Sequence, residues 1–463
     1  MSEYETGFKA YMRFILKSKS AVAAIAVIMF LVALAVYVST WPSSVTYNYL
    51  NNYSSISFES THPTTAAPFW MLYLDPSAYM FNVYLKPVKS SLIEKISLSG
   101  HSYYIYELTY TFNWTKSIHP TDVYFVFAGN ATIVQIAISW VKPSGSEINI
   151  SLSPSKGNAS AYAFDLINVK KQLVQYLLPK NISLEEKTPY YLAEVLFNRL
   201  LINKTGPVER GNYTVTVLIM TMGPDNLSRS TINLLGNAYG YMGTDNHGRS
   251  ILLGILLGLP NALEIGVITS LLGVLIGAFI GGYSGFLGGK ADAALNWFST
   301  VILALPALPF LVTLGLTLKS SLSIMTEALL ITFLSWPFYA IIARSAAQSI
   351  RTNAYVEADR LMGIPSYRTF LTHFLPRLVP FIVAYTVLGI PGAILLVQTL
   401  AFLGIAPPNT VTWGYILDRA YDYKAALNGY WWWILFPGLM IIVVSMPFVI
   451  VGFAIERAAF GGR

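Results

Sequence analysis

Apolar residues gather in two parts of the chain, 21–40 and 250–455, and the segment between them is polar and rich in Tyr, Ser and Thr. A helix that crosses a bilayer needs about 20 mostly apolar residues. The first such run is 21–40, AVAAIAVIMFLVALAVYVST, preceded by Lys9, Arg13, Lys17 and Lys19. A cleaved leader has a shorter apolar region, about 7–15 residues, so this run reads as a retained first span behind a cytoplasmic stretch, 1–20. Five more spans are predicted near 261–283, 295–317, 323–345, 378–402 and 430–454. Gly281, Gly282, Gly392 and Pro437 interrupt them, as do Pro306, Pro309, Pro337 and Pro391. Neighbouring helices or a wet cavity can satisfy the backbone groups that such residues free. The four last-named prolines are therefore candidates for lining a pathway, with helix packing as the plainer reading.

The middle segment has strand character. β-Branched and aromatic residues dominate 103–114, 122–129, 131–141 and 212–222, and turn signals such as Lys142-Pro-Ser-Gly separate them. Two helical patterns fall near 168–178 and 189–202. The expectation is an all-α transmembrane bundle of six helices with a large inserted β-rich α+β or sandwich-like domain at 41–240. Residues 241–463 then carry five of the six spans. An insert of this size can hold a core of its own.

Composition strengthens this division. The chain is 54% hydrophobic and only 11% charged, against about 25% charged in soluble domains. The formal charge is +7, and its placement gives direction. Short segments assigned inside hold Lys9, Arg13, Lys17, Lys19, Lys290, Arg344, Arg351, Arg360, Arg368, Arg377, Arg457 and Arg463; those assigned outside hold Lys319, Arg419 and Lys424. The positive-inside rule then predicts a multi-pass cell-membrane protein with both termini cytoplasmic and the insert extracellular. No basic run interleaved with aromatics points to nucleic acid.

The chain has no cysteine, which excludes disulfides, thiolate metal sites and cysteine nucleophiles. Asn-x-Ser/Thr sequons begin at Asn52, Asn113, Asn130, Asn149, Asn158, Asn181, Asn203, Asn212 and Asn226, all within the insert. They are glycosylation candidates if the insert is exported, the bland alternative being that these residue types are common there. Such density without cysteine suggests an archaeal cell surface. His62, His101 and His119 lack metal-ligand spacing, and no G-x-S-x-G elbow occurs. No catalytic residue or metal site is assigned. Gly285-Phe-Leu-Gly-Gly-Lys290 imitates a phosphate loop, but the leading glycine position is Ser284 and Ala291 follows the lysine. It reads as a tight turn between spans.

The segment 353–380, NAYVEADRLMGIPSYRTFLTHFLPRLVP, is the most informative. A short helix at 355–362, a flexible turn at Gly363 and a second short helix at about 366–374, stopped by Pro376, are predicted. Leu361, Met362, Phe370 and Leu371 beside arginines make a mixed apolar and basic surface suited to docking. Glu357, Ala358, Gly363, Leu375 and Pro376, with His373, resemble the Glu-Ala-Ala loop of ABC importer permeases in the dipeptide/oligopeptide branch. Asp359 departs from that pattern, which usually has a second alanine. Gly243-Thr-Asp-Asn-His-Gly-Arg249 resembles the motif preceding the second span of the C-type peptide permeases, and 402–414, FLGIAPPNTVTWG, resembles their outer loop. The three motifs occur in the same order. Asp245 and Arg249, four apart, can pair on a helical turn, and the resemblance implies that Gly243, Thr244, Asp245, Gly248 and Arg249 form a structural element at the outer face.

The resemblance covers 1–40 loosely and 240–463 well. It implies that 353–376 docks on a nucleotide-binding subunit through Glu357, Ala358, Asp359, Leu361, Gly363, His373, Leu375 and Pro376. It also implies a sister permease, two ATPase subunits that bind ATP and magnesium, and an extracellular substrate-binding protein, with no cofactor in this chain. Peptides are the implied substrate, and oligosaccharides compete. An ion-coupled transporter would place carboxylates or histidines at mid-membrane; these spans appear nearly free of them, apart from Glu264. A membrane-anchored glycan-processing protein would need convergent carboxylates in the insert, where Glu185 and Glu186 are the suggestive pair.

Overall fold

The computed structural model describes residues 18–51, 56–59, 61–98, 101–129, 131–152, 191–201, 204–318 and 321–460. The helical pattern near 168–178, Glu185, Glu186, and the sequons at Asn52, Asn130, Asn158, Asn181 and Asn203 lie outside the described residues. Two compact units are present, one of 1–50 with 253–463 and one of 51–252.

The first unit is helical: α1 Lys19–Ser39, α2 Ser43–Asn51, α3 Ile251–Leu287, α4 Gly289–Leu303, α5 Ala307–Thr317, α6 Ile324–Arg351, α7 Ala354–Leu361, α8 Ser366–Phe402, α9 Trp413–Asp422 and α10 Trp431–Phe460. Five of these (α1, α3, α6, α8 and α10) are long and apolar enough to cross a membrane. The pair α4–α5 passes the same test together but bends by 76° at its break. The run expected as a third span at 295–317 is thus broken at Pro306, which has an extended backbone and caps α5. Proline cannot donate the next helical hydrogen bond. Pro306 and Pro309 are exposed, whereas Pro337 is buried inside α6 and Pro391 half-buried inside α8.

α3 is longer than expected, with 37 residues, or about 55 Å at the α-helical rise. Glu264 is exposed on it. Its packing against α6 rests on Gly273, Gly277, Gly281 and Gly285, spaced four apart on one face. They approach Ser335 and Tyr339, then Tyr339, Trp336 and Ala340, then Ala340, then Arg344. α3 and α6 therefore run parallel. A methyl on Gly277 would sit 2.7 Å from the Trp336 carbonyl oxygen, and one on Gly285 2.6 Å from that of Arg344. Without hydrophobic drive inside lipid, helices associate where small residues let backbones meet. Glu327, in the first turn of α6, is buried with no hydrogen-bond partner for either oxygen among the described residues. The sequence reading passed over it.

The second unit is β-rich. Its strands are β1 Val83–Leu85, β2 Lys89–Leu98, β3 His101–Trp114, β4 Asp122–Val126, β5 Thr132–Val141, β6 Glu147–Leu152, β7 Asn198–Leu201, β8 Lys204–Val208, β9 Gly211–Met222 and β10 Thr231–Leu235. They form antiparallel sheets of order β1-β10-β4, β2-β3-β9-β5-β6 and β7-β8. The four strands expected from the sequence are β3, β4, β5 and β9. In β9, Tyr213, Val215, Val217 and Ile219 alternate inward, as a half-buried strand requires. They join Phe125, Ile232 and Leu234 of the smaller sheet in one core. Trp140 sits centrally, within 5.5–6.5 Å of the Phe112, Phe125, Phe197 and Tyr213 rings.

The helix expected over 189–202 ends early. It covers Tyr191–Phe197 and turns into β7. The buried Lys142 ammonium donates to the Val195 and Asn198 carbonyl oxygens, occupying acceptors at the helix end.

Candidate functional site: the elbow joining α6 to α8

α7 follows α6 after a tight turn in which the Asn353 carbonyl accepts from the Val356 and Glu357 amides. Its end is fixed by local bonding. Gly363 has φ +75°, and the Ile364 amide donates to the Asp359 carbonyl at 3.0 Å. That six-to-one bond past a left-handed glycine is a Schellman cap. The turn expected to be flexible is thus pinned. Pro365 is extended (φ −66°, ψ 139°) and its carbonyl accepts from Arg368 and Thr369, starting α8.

The second short helix does not stop before Pro376. It passes through a π-turn at Phe370–Phe374 and continues to Phe402. The wider turn shifts the hydrogen-bond register just before the proline, whose missing donor falls within the first residues of the new α-helical stretch. Phe370 and Phe374 are buried with Val356, Phe286 and Phe381. The segment at 366–374 and the following span are therefore one continuous helix.

The predicted residues divide by face. Glu357, Ala358, Leu361, Gly363 and His373 are exposed, Leu375 and Pro376 half-buried, and Asp359 buried. Leu361 is 86% and Met362 68% exposed, and Tyr367 and Leu371 are exposed beside them. Asp359 Oδ2 lies 3.4 Å from His373 Nε2. Sequence reasoning missed the brace near this elbow. Asp292 of α4 accepts from Arg344 Nε at 2.6 Å and Nη2 at 2.7 Å, from Gln348 at 3.2 Å and from Ser284 at 3.4 Å. A lone carboxylate two residues after Lys290 was the available signal. The Gly288-Gly289 turn there has left-handed φ values of 71° and 74°, and Gly285 is helical, so this stretch forms no phosphate loop.

The other two motifs are structural knots. Asp245 and Arg249 do pair, Nε to Oδ2 at 2.6 Å, with both side chains buried. They do so in a turn instead of a helix. Asp245 Oδ1 accepts from the His247 and Arg249 amides, which fold the loop back. Thr244 Oγ1 donates to the Pro63 carbonyl and accepts from the Ala66 amide. Gly243 has φ +78°, and Gly248, at φ +74°, lies against the His62 carbonyl. In the third motif, Trp413 is buried and its indole donates to the Ile255 carbonyl at 2.9 Å. The Gln398 side chain accepts from the Gly414 amide at 2.8 Å. Both bonds fasten α9 to the longer helices.

Residues 251–459 match the family described as binding-protein-dependent transport system inner membrane component. A dipeptide transport system permease protein of Haemophilus influenzae is 33% identical over 225 residues, 48% of this chain and 74% of its own length. A probable D,D-dipeptide transport system permease protein of Escherichia coli is 28% identical over 235 residues, 50% and 77% of the two chains. An oligopeptide transport system permease protein of Mycobacterium bovis is 28% identical over 206 residues, 44% and 69%.

Proposed function

The chain belongs to the binding-protein-dependent transport system inner membrane components, and on that premise we propose that it is the permease subunit of an ATP-driven importer of peptides, moved through the elbow at 353–376. Its similar relatives are permeases of dipeptide and oligopeptide systems, which favours peptides over oligosaccharides. The carrying observation is the exposed apolar set Leu361 and Met362, at the end of α7, with Tyr367 and Leu371, at the start of α8. An apolar patch rimmed by polar groups marks an interaction surface. In this reading six spans, with α4–α5 as one bent span, place both termini and the elbow in the cytoplasm and the β-rich unit outside. Two ATPase subunits holding ATP and magnesium dock on the elbow, a sister permease completes the pore, and a substrate-binding protein delivers cargo. No cofactor resides in this chain.

Among the described sequons, Asn113, Asn149, Asn212 and Asn226 are all exposed. Asn113 and Asn212 are opposite one another across β3 and β9. Side chains so paired have Cβ atoms about 5 Å apart, so that pair has room for one glycan.

Affinity purification of the intact complex tests the docking reading. The wild-type chain is expected to retain two ATPases and a sister permease. Leu361→Asp should reach the membrane without the ATPases, and Glu357→Lys or Gly363→Pro should abolish import. Full ATPase retention by Leu361→Asp would remove the basis of the assignment.

A further inference from the structure

α7 is joined to α8 by more than the connecting turn. Val356 is buried against Phe370 and Phe374. Arg377 donates to the Tyr355 hydroxyl, and its guanidinium lies 4.7 Å from that ring's centre. Between these contacts stands Asp359. Its side chain is 9% exposed and its Oδ2 faces His373 Nε2, whose side chain is 45% exposed. That oxygen has no hydrogen-bond partner among the described residues. Val356 and Asp359 are three residues apart and share the inner face, while Glu357, Ala358 and Leu361 face solvent.

We propose that Asp359 and His373 are positioning residues, a latch that fixes the angle between α7 and α8. A displacement of α7 by a nucleotide-binding partner is then passed to α8 instead of being lost in the turn at Gly363. This rests on the docking reading above. A buried carboxylate needs a partner, and histidine can serve either as a neutral N–H donor or as a cation. The Tyr355 ring lies 5.5 Å from that of His373.

The chain has no cysteine, so Met362→Cys and Val379→Cys, both exposed sites, can carry a pair of spin labels. The measurement is the label–label distance distribution in the assembled complex in lipid, with cysteine-free partners, without nucleotide and with ATP. A narrow distribution, the same in both states, is expected. Asp359→Ala and His373→Ala should each broaden it about twofold, and the double variant should be no broader than either single one, as for two residues acting as a unit. His373→Lys, which keeps a cation opposite Asp359, should keep the distribution close to that of the unsubstituted chain. Unchanged widths in both single variants, or broadenings that add in the double variant, would overturn the latch. Loss of the docking reading has a separate signature, ATPase binding that survives Leu361→Asp.

Discussion

At the scale of single residues, the α3–α6 contact makes the sharpest demand. A side chain on Gly281 would overlap the backbone of Ala340, and backbone cannot step aside as a flexible side chain can. Gly281→Leu is expected to cost about 3 kcal/mol or more, at the upper end of overpacking effects. It should appear as a lowered melting temperature in detergent, with Gly392→Leu, whose surroundings are open, close to wild type. The sequence contained this ladder, yet only Gly281, as a helix interruption, and Gly285, in a false phosphate loop, were noticed. The fourfold spacing carries the meaning, and it becomes legible only once α6 is known to lie alongside. Asp245 and Arg249 were more legible because their partnership is local. Their turn conformation was not, since it depends on Thr244 bonding to residues far earlier in the chain.

Asp122 gives a pH prediction at the same scale. Burial, with the nearby Glu59 adding to it, pushes its pKa up to about 7, against hydrogen bonds from Val123 and Tyr124 that act to lower it. Its side chain keeps some solvent contact, so the effect on stability is damped. An unfolded aspartate titrates near 3.9, so between about pH 4 and pH 7 the folded unit holds a proton the unfolded chain has released. Stability from this site is therefore full below about pH 4 and is lost as pH rises through about 7. Thermal unfolding of the β-rich unit should shift to lower temperature over that range, and Asp122→Asn should flatten the slope. An equal slope in the variant would assign the dependence to other groups.

At the scale of elements, sequence patterns worked where burial has two faces and failed where it has none or is complete. β3, β5 and β9 alternate inward and outward, and their runs were readable. β2 is an edge strand exposed along most of its length, with Lys89 and Lys95 on it; charge suits an edge that must not pair further, but it erases the apolar signal. β10, between β1 and β4, is mostly buried on both sides, and so shows no alternation. The elbow was legible as a helix, a glycine turn and a second helix. Its continuity into α8 was not, because a proline ordinarily signals an end, and only the π-turn before Pro376 removes the conflict. Of its expected exposed apolar face, Leu361, Met362 and Leu371 are exposed but Phe370 is buried against Phe286 and Phe374, and the Asp359–His373 contact needed the folded turn.

At the scale of the whole molecule, the proposed topology makes one combined prediction. Cysteines placed singly at Ser146, in the exposed turn between β5 and β6, and at Met362 in the elbow should react oppositely with a membrane-impermeant maleimide on intact cells. Ser146→Cys should be labelled and Met362→Cys protected. Intact mass of the native chain should then exceed the sequence mass by hexose-containing increments. Labelling of Met362→Cys would reverse the orientation, and an unmodified mass would remove glycosylation alone.

The knot around Thr244 also bears on how such a chain could arise. Thr65 donates to the Asp245 carbonyl, and the Thr244 amide to that of Ala66, so the β-rich unit's incoming and outgoing strands of backbone are stapled side by side. A cassette whose entry and exit adjoin can be spliced into one loop of a host, or removed from it, without rerouting the remaining chain. Ancestors and cousins with a short connection at that point, and descendants with a different ornament there, are then equally compatible with a working set of helices.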